Sequence, residues 1–436
     1  GGAVVAASSL LGASPTPTRR RSIRPVVRSV GWLAVAMVSM LFVASFVPIP
    51  DGPADLGLPA LSNDDAAIDR PGSLVGPDGE VADASGTGDP TRGALGTTGG
   101  YRGFSETLDT SVRGGLGDEV VMRVRAPEPA FWRGQTFSDF DGRTWRVSDE
   151  GGPLVDGPRI DVPATLGDLP FDDVPTSELR QTFHVDADLP NLVFAAVRPK
   201  ALVFDGAVNL RPDGALRADR TLTAGTIYTV VSERVEVTEE LLRGQGDLAA
   251  WFAPAAGPGG DARLAPFLDV PASTSRRTID LATDLRVEAS TYDTIRAYEE
   301  WLGANTEYDL DAPVPAAGED AVDDFLFESR RGFCEQIASS LVVMLRSQGV
   351  PARLATGYIP GERDRVSGVW KVRARDAHAW VEVWFPVTGW QAFDPTANVP
   401  LAGEAPAASV GGDAAAALVD AVTGRAVEIA LVVGGA

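Results

Sequence analysis

Three residues have side chains that together are suited to thiol chemistry: the single cysteine Cys334, one of the two histidines, His378, and the acid Asp394. Thiol catalysis needs an activated thiolate, a base that carries the proton, and a group that fixes the imidazole ring. The chain has one of each, in the order Cys, His, Asp. In this arrangement Cys334 would attack a carbonyl carbon, His378 would protonate the leaving amine, and Asp394 would hold the ring and stabilise the imidazolium.

Cys334 is predicted to begin a helix. Apolar residues of the following run, among them Ile337 and Leu341, recur on the same helical face as the cysteine. Gly349 and Pro351 are typical of a helix end. At the helix N-terminus the free N–H groups and the dipole favour a thiolate, and the Cys334 N–H is one candidate oxyanion donor. The alternative, a small buried apolar residue, is the commoner role of a lone cysteine.

His378 and Asp394 are predicted to lie on the two strands of a hairpin. Residues 378–385 alternate as a strand, and residues 390–394 return after a turn. Opposite or diagonal residues in such a hairpin are about 5–8 Å apart, so Asp394 can reach His378. Each residue also has a structural interpretation, because a lone histidine is often structural and Asp-Pro is an ordinary strand-ending turn.

The segments around these residues resemble the transglutaminase-like superfamily. They are RGFCEQIA at 331–338, LRSQGVPAR at 345–353, ATGY at 355–358, DAHAW at 376–380 and GWQAFDPT at 389–396. The resemblance extends over about 265–400 and implies an α+β fold with a papain-like, transglutaminase-like core of helices and antiparallel sheet. It also implies that Cys334, His378 and Asp394 form the catalytic triad.

The resemblance implies an enzyme that forms a thioester from a protein or peptide amide and passes the acyl group to an amine or to water. Because the superfamily also includes proteases, amidases and proteins without catalysis, two alternatives stay open. One is a cysteine protease or amidase with the same core. The other is a catalytically idle module that binds a partner in the cell envelope.

Several neighbouring residues have two interpretations. Tyr308, Trp370 and Trp380 either line the site or belong to the core, which is the more frequent place for aromatic residues. Glu335 and Asp376 adjoin members of the triad, and the simplest interpretation is that they are solvated neighbours. The paired acids lack the loop of a calcium-binding hand, so no metal and no cofactor are expected.

Composition limits the classes of partner. The 436 residues include 60 acidic and 38 basic residues, and the net charge of −22 repels phosphate backbones, so no nucleic-acid partner is expected. One cysteine allows no intrachain disulfide. The length and the 44% hydrophobic content favour two folded units with connecting segments.

The N-terminal region has the pattern of a membrane anchor. Residues 30–49 are uncharged and long enough to cross about 30 Å of hydrocarbon as a helix. Five arginines between 19 and 28 precede this span, so the positive-inside rule places 1–29 in the cytoplasm and the rest outside. The apolar start at 1–11 is interpreted as the end of a preceding span, which makes the chain a fragment.

The remaining predicted segments alternate between linkers and domains. Residues 50–111 form an acidic Gly/Pro-rich linker, and 112–236 a separate extracytoplasmic β-rich domain with a hairpin turning at Asp141-Gly142. Residues 237–264 form a second linker before the catalytic domain at 265–400. Residues 401–436 form an Ala/Gly-rich linker and, on one interpretation, the start of a further span.

The whole pattern is similar to bacterial multi-span membrane proteins with an extracytoplasmic transglutaminase-like core. The segment FWRGQTF at 131–137, followed by Asp141-Gly142 and Trp145, is similar to their β-region. The resemblance implies a multi-pass protein of the cell membrane whose partners are the membrane and a protein or peptide substrate in the cell envelope.

Overall fold

The computed structural model describes residues 101–398, apart from 113, 115, 149–150, 165–173, 253–261 and 317. All of these residues belong to one unit of the chain. The segments predicted as 1–29, 30–49 and 401–436, and residues 50–100 of the first linker, lie outside the described residues. None of the described helices is both long enough and apolar enough to cross a membrane.

Most of the regular structure is β-strand. The described strands are β1 (Thr107–Asp109), β2 (Val120–Arg125), β3 (Trp132–Phe137), β4 (Asp139–Phe140), β5 (Thr144–Arg146), β6 (Leu154–Val155), β7 (Ile160–Asp161), β8 (Thr176–Val185), β9 (Pro199–Val203), β10 (Val208–Leu210), β11 (Leu216–Ala218), β12 (Ile227–Val235), β13 (Glu307–Tyr308), β14 (Arg331–Gly332), β15 (Ala352–Tyr358), β16 (Glu362–Arg363), β17 (Trp370–Arg373), β18 (Ala377–Phe385) and β19 (Gly389–Phe393).

The helices fall between β12 and β15. They are α1 (Glu239–Gly244), α2 (Leu248–Phe252), α3 (Arg276–Leu285), α4 (Thr291–Asn305), α5 (Ala321–Asp323), which continues as a π-helical turn, Asp324–Ser329, and α6 (Cys334–Ser347). Short 3-10 turns lie at Arg102–Phe104, Ala262–Phe267, Ala374–Asp376 and Pro395–Asn398.

Two sheets dominate the fold. A seven-stranded sheet has the order β16-β17-β2-β8-β12-β9-β7, and a four-stranded sheet has the order β19-β18-β15-β3. Both are antiparallel throughout. Smaller sheets have the orders β1-β5-β4, β11-β10-β6 and β13-β14. The mixed helices and antiparallel sheets agree with the predicted α+β class.

The expectation of a separate β-rich domain is wrong. Strand β2 pairs with β17, and β3 pairs with β15, so two strands of the 112–236 region complete sheets formed by the 265–400 region. Backbone N–H and C=O groups at the edge of a buried sheet need partners, and β2 and β3 supply them. The described parts of the two regions therefore share their sheets.

Several local predictions agree with the strands found. Strands β2 and β12 lie within the region 112–236 that was predicted to be β-rich. The hairpin at Asp141-Gly142 is present between β4 and β5, with Gly142 at a φ of 101°. Strand β3, which precedes that hairpin, pairs with β15.

Helix α6 lies at the centre of the molecule. Every residue from Cys334 to Arg346 is buried, because the helix packs against β15 and β18 on one side and against α3, α4 and α5 on others. Its end follows the prediction, since the helix stops at Ser347 and Gly349 has a φ of 77°. A helix enclosed on all sides holds its first residue in a fixed position.

Candidate active site

Cys334 is the first residue of α6, and the N-terminus of this helix is held by local hydrogen bonds. The Phe333 N–H donates to Oε1 of Gln336 at 3.2 Å, and the Ile337 N–H donates to the carbonyl of Phe333. A side chain on Gly332 would lie 2.7 Å from the ring of Phe325 and from Gln336. A side chain at position 332 would therefore require the Phe325 ring and the Gln336 side chain to shift beside the start of the helix.

A short parallel pair of strands fixes the approach to Cys334. Tyr308 on β13 is paired with Gly332 on β14, and the Asp309 N–H donates to the Gly332 carbonyl at 2.7 Å. Arg331 forms an ion pair with Asp309. These contacts place Tyr308 opposite Gly332, two residues before the cysteine.

His378 and Asp394 are brought together by the β18–β19 hairpin. Val381 is paired with Phe393, and continuing this register puts Asp394 diagonally across from His378. Nε2 of His378 lies 3.0 Å from Oδ2 of Asp394. The sequence predicted that Asp394 can reach His378, and the distance between the two side chains is that of a hydrogen bond.

Thr396 is a residue of this site that the sequence analysis missed. Its hydroxyl donates to Oδ1 of Asp394 at 2.6 Å, its backbone N–H donates to the same oxygen at 3.0 Å, and its hydroxyl lies 3.4 Å from Nε2 of His378. An aspartate that accepts a hydrogen bond from the residue two positions later forms an Asx turn. The Asp-Pro-Thr sequence contained this signal.

The charges of the site reinforce one another. Burial alone would lower the pKa of His378, but the negative charge of Cys334 and the hydrogen bond to Asp394 outweigh burial and raise that pKa from 6.5 to about 10. A hydrogen-bonding interaction with the Cys334 side chain raises the pKa of His378 further. Burial alone would raise the pKa of Asp394, but the hydrogen bond from His378 keeps that pKa below its ordinary value. The arrangement favours an imidazolium between two anions.

Cys334 and its sequence neighbour Glu335 are both fully buried. Sγ of Cys334 lies 3.2 Å from Oε2 of Glu335. The interpretation of Glu335 as a solvated neighbour is therefore wrong. A charged residue at this position gives no signal in the sequence that its side chain faces a sulfur inside the protein. Asp376, the other acid that adjoins a member of the triad, is partly buried. Its carboxylate accepts a hydrogen bond from the Arg373 N–H at 2.8 Å.

The β-rich region supports the helix that carries Cys334. Nε1 of Trp145, on β5, donates to the hydroxyl of Ser339 at 2.8 Å, and that hydroxyl donates to the carbonyl of Glu335. The guanidinium of Arg346 stacks over the Trp145 ring at 5.2 Å. Strand β5 therefore contacts α6 one turn away from the cysteine.

A cavity of about 450 Å³ lies beside Asp394, and its walls include Glu299 and Arg296 from α4. Glu299 is buried and paired with Arg296. Burial raises the pKa of Glu299 to about 7, Arg296 opposes this shift, and the negative charge of Asp394 adds to it. Glu299 has no signal in the sequence, because its position in a helix gives no indication that it lies near the aspartate.

The aromatic residues have different positions. Tyr308 adjoins the segment before Cys334, whereas Trp380 is fully buried and stacks on Phe131 with 4.8 Å between ring centroids. Trp370 packs on the core of the seven-stranded sheet, and its indole donates to the carbonyl of Ala126. Among the described residues, no group of three or more His, Cys, Asp or Glu side chains is arranged to hold a metal ion.

Two known protein families match this chain. Residues 279–395 match the transglutaminase-like superfamily, and residues 1–239, more than half of the chain, match the TgpA N-terminal domain. The chain is thus a transglutaminase-like protein. Within that superfamily it belongs to the family of TgpA proteins, as the resemblance in its sequence implied.

Individual relatives match over shorter stretches. The uncharacterised protein YebA of Bacillus subtilis is 38% identical over 137 residues, which are 30% of this chain and 19% of that protein. The protein-glutamine gamma-glutamyltransferase of Pseudomonas aeruginosa is 48% identical over 85 residues, 20% of this chain and 13% of the relative. The chain thus spans less than a fifth of either relative.

Solved structures include a similar one. The periplasmic domain of TgpA from Pseudomonas aeruginosa has a TM-score of 0.49 and 26% sequence identity, with 67% of this chain and 94% of that domain covered.

Proposed function

We propose that this chain is a thiol acyltransferase of the transglutaminase type. Cys334 is its nucleophile, His378 its acid and base, and Asp394 the residue that orients the imidazole. The observation that carries the proposal is the chain of contacts from the Cys334 thiol to His378 and on to Asp394, with 3.0 Å between Nε2 and Oδ2. The match of residues 279–395 to the superfamily supports it.

The reaction begins with the thiolate–imidazolium pair. The sulfur attacks the carbonyl carbon of a protein or peptide amide, and the Cys334 backbone N–H at the start of α6 can stabilise the oxyanion. The C–N bond breaks as His378 gives its proton to the leaving nitrogen, which departs as ammonia from a primary amide and leaves a thioester. An amine or water then attacks the thioester and returns the thiolate.

The substrate is a protein or peptide of the cell envelope, and the reaction takes place outside the membrane. Support for this location is the uncharged segment 30–49 behind a cluster of arginines, together with the match of residues 1–239 to the TgpA N-terminal domain. The net charge of −22 supports a protein or peptide partner over a nucleic acid.

The test is to incubate the protein with a glutamine-containing peptide and a primary amine, and to record ammonia and the intact masses of peptide and protein. Transfer gives a peptide–amine adduct, amide hydrolysis gives a deamidated peptide, and peptidase activity gives two fragments. Cys334→Ala is expected to abolish all three, and Asp394→Asn to slow them strongly, as removal of the orienting carboxylate does in thiol and serine triads.

A catalytically idle binding module is the second candidate, and the complete burial of Cys334 favours it. Iodoacetamide distinguishes the two, because Cys334 is the only cysteine and any alkylation reports on it. Alkylation of the folded protein at pH 6, moved to higher pH by His378→Ala, supports the enzyme. Alkylation only on unfolding, without ammonia or fragments from wild type, would establish the idle module instead.

A further inference from the structure

Strand β19 forms part of the wall of the cavity beside Asp394. It is an edge strand of the four-stranded sheet, and its residue Ala392 is exposed and lines the cavity. The cavity has a volume of about 450 Å³, and its other walls include residues of α1 and α4. The cavity therefore adjoins the main chain at the edge of a sheet as well as side chains.

The register of the sheet shows which way the main chain of Ala392 points. The Trp384 N–H donates to the Pro351 carbonyl at 3.1 Å, so the main chain of Trp384 faces β15. Residues two apart in a strand face the same neighbour, and Glu382 therefore also faces β15. Ala392 is the partner of Glu382 in β19, so its N–H and C=O point out of the sheet. Among the described residues, no hydrogen bond reaches these two groups.

An exposed donor and acceptor at a sheet edge can pair with the main chain of an extended peptide. One peptide residue would exchange two hydrogen bonds with Ala392. The side chains on either side of that residue would then lie on the same face as Gln391 and Phe393. This face is directed toward α4, since the Phe393 ring centroid is 6.3 Å from that of Tyr292. Two side chains of an added strand would therefore enter the cavity.

Part of the cavity wall is apolar. Leu242, Tyr292 and Phe393 line it together, so an aliphatic side chain of a bound peptide would be removed from water there. Glu239 also belongs to the wall, but it is exposed and paired with Arg243. The apolar part thus lies between α1, α4 and β19.

The rest of the wall has negative charge that its own cations do not fully compensate. Asp394 is hydrogen-bonded to His378, and Glu299 is paired with Arg296. Burial and the negative charge of Asp394 nevertheless outweigh Arg296 and raise the pKa of Glu299 to about 7. A cationic side chain in the cavity would favour the ionised form of Glu299 and reduce its repulsion with Asp394.

We propose that the outer edge of β19 is a docking surface for an extended peptide segment of a partner polypeptide, which pairs with Ala392 and places one apolar and one basic side chain in the cavity. The apolar side chain packs on Leu242 and Phe393, and the basic one lies beside Glu299. This interaction goes beyond the proposed function. Because Asp394 belongs to both the cavity and the triad, the bound peptide adjoins the residue that orients the imidazole.

Calorimetric titration of the full-length Cys334→Ala variant measures binding without turnover. The probe is Ac-Lys-Thr-Val-Thr-Lys-NH2, in which each threonine lies between the valine and a lysine, so either chain direction fits the edge. The control, Ac-Thr-Lys-Val-Lys-Thr-NH2, has the same composition and charge but puts its lysines on the face opposite the valine. The control is expected to bind about tenfold or more weakly, as loss of a charged contact implies. Equal affinities, or no binding of the probe, overturn the proposal.

Methylated probes test the main-chain pairing and need no further variant of the protein. Methyl groups on both threonine nitrogens remove the donors that face Ala392, and they are expected to weaken binding about tenfold or more. A methyl group on the valine nitrogen, which points away from β19, is the matched control and is expected to have little effect. If both methylated probes bind equally well, the peptide does not add a strand.

Hydrogen exchange locates the bound probe. The Ala392 amide should exchange rapidly in the free protein and about tenfold or more slowly with saturating probe, because it then donates a hydrogen bond. Glu299→Gln should weaken binding of the probe, whereas Glu362→Gln, which changes an exposed acid on β16, should not. Unchanged exchange at Ala392 rejects this edge as the docking surface, and full affinity in Glu299→Gln rejects the basic side chain.

Discussion

The imidazole of His378 lies within hydrogen-bonding reach of two acidic side chains, Cys334 and Asp394. Burial alone would favour the neutral ring, so the imidazolium exists only because the negative charges outweigh the loss of hydration. The protonation state of this ring is therefore the property of the site most sensitive to a change in either partner.

We expect the His378 imidazolium to persist through neutral pH and to lose its proton near pH 10 in a ¹⁵N NMR titration. Cys334→Ala should lower the pKa of His378 most, because the charge on Cys334 is the largest stabilising cause, and Asp394→Asn should lower it by about one unit or more. His184→Gln assigns the resonances, since the chain has only these two histidines. A midpoint near 6.5 in wild type would contradict the charge arrangement.

Glu299 should give the folding stability a measurable pH dependence. Its folded-state pKa of about 7 is above the ordinary 4.5, so its contribution to the free energy of unfolding is complete below pH 4.5 and is lost as pH rises through 7. Urea unfolding of Glu299→Gln should therefore show on the order of 2–3 kcal/mol less loss between pH 4.5 and 8 than wild type.

Glu300→Gln is the control for this measurement, because Glu300 is the next residue of α4 and is exposed. It should keep the wild-type pH dependence. If Glu299→Gln also keeps it, the buried carboxyl beside Asp394 does not titrate in this range.

At the scale of the elements, strand β15 lies very close to the backbone of β3 near the site. Its residue Gly357 lies between His378 on β18 and Arg133 on β3. A Cβ at position 357 would be 2.1 Å from the Trp132 carbonyl oxygen, which is a backbone atom and cannot turn away. The absence of a side chain at 357 therefore allows β3 to join the sheet opposite His378.

Gly357→Ala should lower the free energy of unfolding by about 1–3 kcal/mol, as overpacking does. It should also slow alkylation of Cys334 at pH 6, because β18 would shift with its neighbour. Gly244→Ala is the control: it has no atom within 4 Å of the added Cβ, so its stability should stay within about 0.5 kcal/mol. Equal stability of the two variants in thermal and urea unfolding would exclude the close approach.

The elements that the sequence predicted are those specified by neighbouring residues. Helix α6 has both a periodic apolar face and a Gly-Val-Pro stop, and the β18–β19 hairpin has alternation around a short turn. The diagonal contact between His378 and Asp394 followed from that hairpin. The pairing of β3 with β15 did not, because Leu354 and its partner Phe137 are remote in sequence and no local pattern identifies such a partner.

At the level of the whole molecule, the shared sheets make the transglutaminase-like region dependent on the β-rich region. Without β2 and β3, both β17 and β15 would have an unpaired edge, and Glu382 would lose Arg133. Removing one partner of a buried ion pair is strongly destabilising, by about 3–5 kcal/mol. This cost is comparable with the whole stability of many domains.

Residues 265–398 expressed alone are therefore expected to remain unfolded, whereas residues 101–398 are expected to fold. Circular dichroism during heating should show a cooperative transition only for the longer piece. A sharp transition in the shorter piece, with dispersed amide resonances, would contradict the dependence on β2 and β3.

The contact between Arg133 and Glu382 joins residues 249 positions apart. At a synthesis rate of about 5–20 residues per second, Arg133 leaves the ribosome roughly 10 to 50 seconds before its partner exists. During that interval β3 has unpaired hydrogen-bonding groups next to a guanidinium that the finished fold buries. The nascent chain therefore has a long period in which β3 is open to wrong pairing, and a factor that shields it should raise the yield of folded protein more than one that speeds later steps.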